Sequence, residues 1–244
     1  KNVRDIKKKL ITRKIITYGL SRNSNFKAVN IKTVIKNNSF FTKFDLVENF
    51  GKKKIIKNFL SPILGNHNIQ NILAAICVTR GIEISYLMIK KALKNFQGVN
   101  RRFTVLHNDK NNLIIDDYAH HPVEIKATLN SLRLITRKRI ISIFEPHRYS
   151  RLFGMFDDFI ESFSESDCIY VLPIYSAGEK NNWGVTSQTF YNSLKKKYKN
   201  KSIFFVQNEK KFFKSLKDFV YKEDKIIFLG AGSSSLIAQR FKEY

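Results

Sequence analysis

Asp116-Asp117-Tyr118-Ala119-His120-His121-Pro122-Val123-Glu124 is the stretch that decides how the whole chain is read. It follows the apolar run Leu113-Ile114-Ile115 and precedes Ile125, Leu129 and Leu132 at helical spacing. A strand therefore hands over to a helix here, with acidic, aromatic and imidazole groups at the junction. In open α/β sheets ligands bind at that carboxyl end of the strands. Outward from this point, strands are expected near 103–107, 112–116, 139–144, 168–172, 202–206 and 225–229. Helices are expected near 122–136, 153–164, 186–198, 209–220 and 234–243. The alternation predicts an α/β fold with a largely parallel, doubly wound sheet.

The first part of the chain reads differently. Short strands are expected at Lys14–Tyr18, Ala28–Ile35, Phe40–Phe44 and Lys54–Lys57, mostly antiparallel because their connections are short. From Gly65 the pattern becomes helical through Asn71, Ala74, Ala75, Val78 and Thr79, with Gly81 as a C-terminal cap. A second helix covers Ser85 to Asn95, and Gly98-Val99-Asn100-Arg101-Arg102 reads as a hinge. Two domains follow, 1–99 and 100–244.

Composition limits the function classes. The 244 residues, 43% hydrophobic and 13% aromatic, can bury a sizeable core. The net charge of +24 comes from Lys and Arg scattered among Asn and apolar residues. No arginine-rich or aromatic-interleaved segment accompanies it, so it reads as compositional bias rather than nucleic-acid binding. Cys77 and Cys168 sit in apolar runs as small core residues, which fits a reducing compartment. No apolar run approaches the roughly 18 residues that would span a bilayer. Lys1-Asn2-Val3-Arg4 is neither a signal peptide nor an initiator sequence, so the expectation is a soluble, cytoplasmic piece of something longer.

Four further strings carry chemistry. In Gly65-Asn66-His67-Asn68-Ile69-Gln70-Asn71, glycine allows a tight helix entry, and His and Asn offer hydrogen-bonding edges. An ordinary polar helix start with Asn68 as N-cap is the alternative. In Phe96-Gln97-Gly98-Val99-Asn100-Arg101-Arg102-Phe103, paired arginines either hold phosphate or form a solvated basic turn. In Phe144-Glu145-Pro146-His147-Arg148-Tyr149-Ser150-Arg151, two arginines three apart can face one carboxylate if the helix has begun to wind. A bare basic helix start would oppose the macrodipole, and an anionic ligand would relieve it. Phe228-Leu229-Gly230-Ala231-Gly232-Ser233-Ser234 lacks the third glycine of a dinucleotide turn and reads as close packing. The opening string could also be a metal site, yet consecutive strand residues alternate faces and no further ligands stand nearby, so no metal is assigned. Core histidines with a cap before Pro122 are the remaining alternative.

Taken together, these strings and Tyr175-Ser176-Ala177-Gly178-Glu179 resemble the Mur ligases over about residues 14–243. The resemblance implies a Rossmann-like C-terminal domain preceded by the β-rich and helical second half of a central ATPase domain. It implies ATP-dependent amide-bond formation through an acyl phosphate in peptidoglycan synthesis, with Mg²⁺. The Asp-Asp-Tyr-Ala-His-His-Pro-x-Glu form resembles the members that join L-alanine to UDP-N-acetylmuramate and their tripeptide-recycling relatives. By resemblance, His67, Asn68, Asn71, Arg101 and Asp117 serve the nucleotide; Tyr118, His120, His121, Arg148 and Arg151 serve the amino acid. Two departures stand out: Glu145 where the family usually has Gln, adding charge beside the carboxylate site, and Ser233-Ser234 where it often has Asp-Ile. No G-x-x-x-x-G-K-[ST] phosphate loop occurs in the chain, so the Mg²⁺ ligands, the loop and the UDP-binding half are expected upstream, and the fragment alone is expected to be inactive. A non-catalytic module that binds nucleotide or amino acid is the alternative.

Overall fold

A computed structural model describes residues 15–36, 39–96, 98–109 and 111–244, without the side chains of residues 35, 36, 39, 66 and 67. The chain forms two compact units, Lys1–Gln97 and Gly98–Tyr244.

In the first unit, strands β1 (Tyr18–Gly19), β2 (Phe26–Lys36), β3 (Ser39–Phe50) and β4 (Lys52–Ser61) lie in that order. β1 runs parallel to β2, and the other pairs are antiparallel. Helices α1 (Asn66–Gly81) and α2 (Tyr86–Asn95) pack Ile69, Leu73, Ile76 and Ile89 into a core with Phe44, Leu46 and Phe59. Phe44 and Phe59 stack with ring centroids 5.2 Å apart. The strands run longer than the alternation suggests, because register shifts at Val29/Lys32 and Phe44/Leu46 change its phase. Asp45 anchors both irregularities, accepting from Asn30 Nδ2 at 2.9 Å and from the Asn58 amide at 2.8 Å. Each of those asparagines has left-handed φ. The expected strand at Lys14–Tyr18 reduces to Tyr18–Gly19, and Lys14 lies outside the described residues. Gly81 stays inside α1 and is no left-handed cap; Ile82 follows it, and the positive φ falls on Glu83.

The second unit holds β5 (Thr104–Asn108), β6 (Leu113–Asp117), β7 (Ile140–Phe144), β8 (Cys168–Val171), β9 (Ser202–Phe205) and β10 (Lys225–Leu229). Their sheet order is β5-β6-β10-β7-β8-β9, parallel except for β5. Residues of β6, β7 and β8 are buried throughout, as their unbroken apolar runs require of strands covered on both faces. On one face Phe212, Phe213 and Leu216 of α7 (Glu209–Phe219) and Ile237 and Ala238 of α8 (Ser234–Glu243) join Ile141, Ile143 and Tyr170. Phe144, one position on from Ile143, points to the other face and packs with Phe159, Phe163 and Phe190. That face carries α3 (Pro122–Ile135), α4 (Tyr149–Gly154), α5 (Phe156–Glu161) and α6 (Ser187–Lys197). Where one helix is expected over 153–164, the chain starts earlier and breaks at Met155, whose φ of −135° and ψ of 34° are not helical. Cys168 is buried, and burial pushes its thiol up to about 12, so it is an inert core group.

Register aligns the strand ends. Leu229 lies opposite both Asp117 and Phe144, and Val171 opposite both Phe144 and Phe205. The loops after these residues carry the strings singled out above, so one end of the sheet collects them.

Candidate functional site

Strand alternation sends the two adjacent acids to opposite faces. Asp116 turns toward α8, where its Oδ2 accepts from the Ser235 hydroxyl at 2.6 Å and lies 3.8 Å from Arg101 Nε. Its Oδ1 is buried without a hydrogen-bond partner, as is Arg101 Nε. Burial raises the Asp116 carboxyl, and Ser235 and Arg101 oppose that rise. Asp117 turns toward α3. It accepts from the Phe103 amide at 2.9 Å, the Ala119 amide at 2.8 Å and, at 3.4 Å, the Thr128 hydroxyl. Burial dominates and pushes this carboxyl up to about 6, against the lowering effect of the two amides. Asp117 thus ties the arginine loop to the end of β6.

Arg101 has a left-handed φ of 61° and folds back over the sheet end. Its Nη2 donates to the Gly230 carbonyl at 2.6 Å, and its guanidinium lies 4.8 Å from the Tyr118 ring centroid. From Tyr118 a line of rings continues. Tyr118 meets His120 edge-on at 5.0 Å, His120 lies 5.6 Å from His147, and His147 stacks on Tyr175 at 5.4 Å. Parallel pairing of β7 with β8 resumes as one bridge between His147 and Tyr175, which sets those last two rings together. His120 Nδ1 lies 2.8 Å from the Tyr118 carbonyl and 3.7 Å from Glu124. Because a carbonyl only accepts, neutral His120 carries its proton on Nδ1 and leaves Nε2 as the acceptor.

His121 does something else. It caps α3, its Nδ1 accepting from the Val123 amide at 3.4 Å, with Pro122 in the first turn. Asn68 is not an N-cap: Gly65 holds that place, and buried Asn68 donates Nδ2 to the Leu64 carbonyl at 2.7 Å while accepting from Asn71 at 3.3 Å. The His67 side chain lies outside the described residues.

Arg148, with φ of 71°, precedes α4 as its N-cap, so the winding that would turn both arginines to one carboxylate has not begun. They take different partners: Arg148 Nη1 lies 3.7 Å from Glu179, and Arg151 Nη1 lies 3.2 Å from His147 Nδ1. Glu179 also accepts from the Ser150 amide at 3.0 Å and its hydroxyl at 2.6 Å. The anion that relieves this basic helix start is therefore the protein's own, and the Ser150 bonds hold the Glu179 carboxyl below its ordinary value. Glu145 does not add charge at the arginines. Its carboxylate points to the start of α8, accepting from the Ser233 hydroxyl and, at 3.1 Å, from the Ser234 amide. The two departures from the family pattern thus touch each other. The glycine turn is close packing, as expected: a Cβ on Gly232 would stand 2.4 Å from Tyr175 Cγ.

His147, Glu179 and Ser235 were missed by the sequence reading. His147 and Glu179 lay inside quoted strings, but only their cross-strand partners reveal them; Ser235 had no signal. Among the described residues no three His, Cys, Asp or Glu side chains gather as a metal group. No described helix is long and apolar enough to cross a membrane.

Two family models match the chain: the Mur ligase middle domain at residues 1–79 and the Mur ligase glutamate ligase domain at 101–232. The UDP-N-acetylmuramate–L-alanine ligase of Rickettsia felis is 40% identical over 242 residues, covering 98% of this chain and 50% of the relative. That of Rickettsia bellii is 39% identical, covering 100% and 52%. Among solved structures, the UDP-N-acetylmuramate–alanine ligase of Thermotoga maritima matches with a TM-score of 0.73 at 25% identity, covering 93% of this chain and 47% of its own. A MurF structure from Acinetobacter baumannii shares the fold, with a TM-score of 0.70 at 16% identity, 98% and 49% covered. The chain spans about half the length of the curated relatives it matches. With both family models matched in order along it and the carboxyl-end site assembled from their strings, the chain belongs to the Mur ligase family.

Proposed function

We propose that this chain carries the amino-acid side of a cytoplasmic ligase that joins L-alanine to UDP-N-acetylmuramate at the expense of ATP. The observation behind the proposal is the row of Tyr118, His120 and His147, with Arg151 on His147, at the carboxyl ends of β6 and β7. On this reading Arg151, and Arg148 once it exchanges Glu179 for the ligand, are the cationic donors for the amino acid's carboxylate. With its proton on Nδ1, His120 keeps Nε2 as an acceptor, and an ammonium group must shed a proton before it attacks an acyl phosphate. Neutral His147 accepts from Arg151 and so holds that guanidinium without competing for the anion. For the nucleotide, this reading assigns Arg101 and Asp117 within the second unit and, separately, His67, Asn68 and Asn71 within the first. The domains of the reading are 1–99, a partial ATP-binding domain, and 100–244, the amino-acid domain.

The described residues offer no metal group that fits Mg²⁺, and the sequence holds no phosphate loop, so no phosphoryl step is derived from them. Turnover on this reading requires a half that supplies both. Calorimetric titration of the chain with L-alanine tests the proposal: Arg148→Ala and Arg151→Ala should each weaken binding by about tenfold or more, the worth of a charge-assisted hydrogen bond. Equal affinity in the variants would sink the assignment. Preference for a free tripeptide over free alanine would shift the reading to the recycling activity.

A further inference from the structure

We infer that Glu145 is a positioning residue that sets the Arg101 guanidinium through the serine run at the start of α8. The hydroxyls of Ser233, Ser234 and Ser235 each take a different partner. The Ser233 hydroxyl donates to Glu145, the Ser235 hydroxyl donates to Asp116, and Ser234 stands between. The Ser234 amide donates to Glu145 at 3.1 Å, and its hydroxyl lies 3.4 Å from Arg101 Nη2. That same Nη2 donates to the Gly230 carbonyl at 2.6 Å. Arg101 is thus two contacts away from a carboxylate it never touches.

The connection is stiff. Ser234 is wholly buried, and Glu145 is 3% exposed. The Glu145 amide donates to the Leu229 carbonyl at 2.9 Å, so backbone and side chain of one residue grip both sides of the glycine turn. A Cβ on Gly230 would meet Ser234 Oγ at 2.9 Å and Glu145 Cβ at 3.0 Å, so the turn has no slack against Glu145. Removing the carboxylate would orphan the Ser234 amide at a helix start, a group that folding leaves without an intrahelical acceptor. The turn must then shift to find one, and the Gly230 carbonyl shifts with it. Arg101 Nε has no hydrogen-bond partner, so beside the Tyr118 ring and the 3.8 Å pair with Asp116 the guanidinium is held by the hydrogen bonds of Nη2. What the device needs is an acceptor of the right reach rather than a charge.

The positioning stands on this geometry; its use in holding a nucleotide rests on the reading of Arg101 proposed above. The test uses ¹⁵N spectra of arginine Nε–H groups in the full chain, with R101K identifying the Arg101 signal. Buried as it is, that proton should exchange slowly with water in the wild type. E145A should speed its exchange by about tenfold as the turn loosens, whereas E145Q, which keeps an acceptor, should stay within about twofold. Unchanged exchange in E145A overturns the inference. If E145A does not fold, S234A deletes only the hydroxyl between the turn and Arg101 and is expected to speed exchange likewise; an unchanged rate there overturns it too. ADP titration then separates the two readings. A weaker ADP affinity in E145A, parallel to its exchange rate, supports both; faster exchange with no ADP bound by the wild type supports the positioning and removes the nucleotide.

Discussion

His147 and Tyr175 stack at 5.4 Å with their planes 16° apart, and on the ring's edge Nδ1 of His147 faces Arg151 Nη1 at 3.2 Å. A guanidinium only donates, so this contact requires a neutral imidazole. Burial, followed by Arg151, His120 and Arg148, pushes the His147 pKa down to about 4 from 6.5.

Anion binding at the two arginines should therefore show no His147 titration near 6.5, and should fall only as pH drops toward about 4. Protonation there breaks the Arg151 contact and sets like charges side by side. The sign for stability follows from linkage: a folded pKa below the unfolded one gives stability that is present above 6.5 and lost as pH falls toward 4. Urea midpoints against pH for the wild type and His147→Asn check this. A midpoint that falls no more steeply in the wild type than in the variant would refute it.

Asp117 should behave oppositely. Its folded pKa of about 6 lies above its ordinary 3.8, so its contribution is present below 3.8 and lost as pH rises through 6. Carboxyl ¹³C titration should give a midpoint near 6; one near 3.8 would show that the Phe103 and Ala119 amides offset burial in full.

At the opposite end of the sheet, Arg139 holds buried Asp224 with two bonds, Nε to Oδ1 at 3.1 Å and Nη2 to Oδ2 at 2.5 Å. Its guanidinium also lies over the Phe219 and Tyr221 rings. Arg139→Ala leaves buried Asp224 with the Tyr221 amide and no cation, which should cost about 3 kcal/mol. Chemical denaturation reads the loss, and L-alanine affinity at temperatures where the variant is folded should not change. A cost below about 1 kcal/mol, the worth of an exposed pair, would contradict the staple.

Two glycines should diverge under the same substitution. Gly232→Ala forces a Cβ onto the Tyr175 ring and to 2.6 Å from Glu145 Oε2, an overpacking worth about 1–3 kcal/mol of stability. Gly154→Ala, in α4 with nothing within 4 Å of the new Cβ, should instead stabilise by about 0.5 kcal/mol. Equal urea midpoints for the pair would overturn both arguments.

The second unit was legible in the sequence nearly strand for strand, because strands buried on both faces are unbroken apolar runs and each is followed by a polar, glycine- or proline-marked junction. Legibility failed where a partner is remote. Arg148 to Ser150 look like helix or loop equally well until Glu179 arrives from the next crossover to cap them. Glu145 looks like a misplaced charge until Ser233 and Ser234 are seen to receive it. In the first unit the alternation of β2 to β4 breaks at bulges that Asp45 stabilises from across the strand, which hides their true length.

The place of β10 between β6 and β7 has a consequence for synthesis. As the chain leaves the ribosome, β5 to β9 emerge with a slot through their middle, bordered by two open apolar strand edges. Such edges invite pairing with the wrong chain until residues 225–229 arrive to fill the slot. The serines that anchor Arg101, Asp116 and Glu145 follow directly behind that strand. A ribosome that stalls short of β10 thus releases a product with neither a closed sheet nor an ordered site, and its open edges mark it for removal by the cell's proteases.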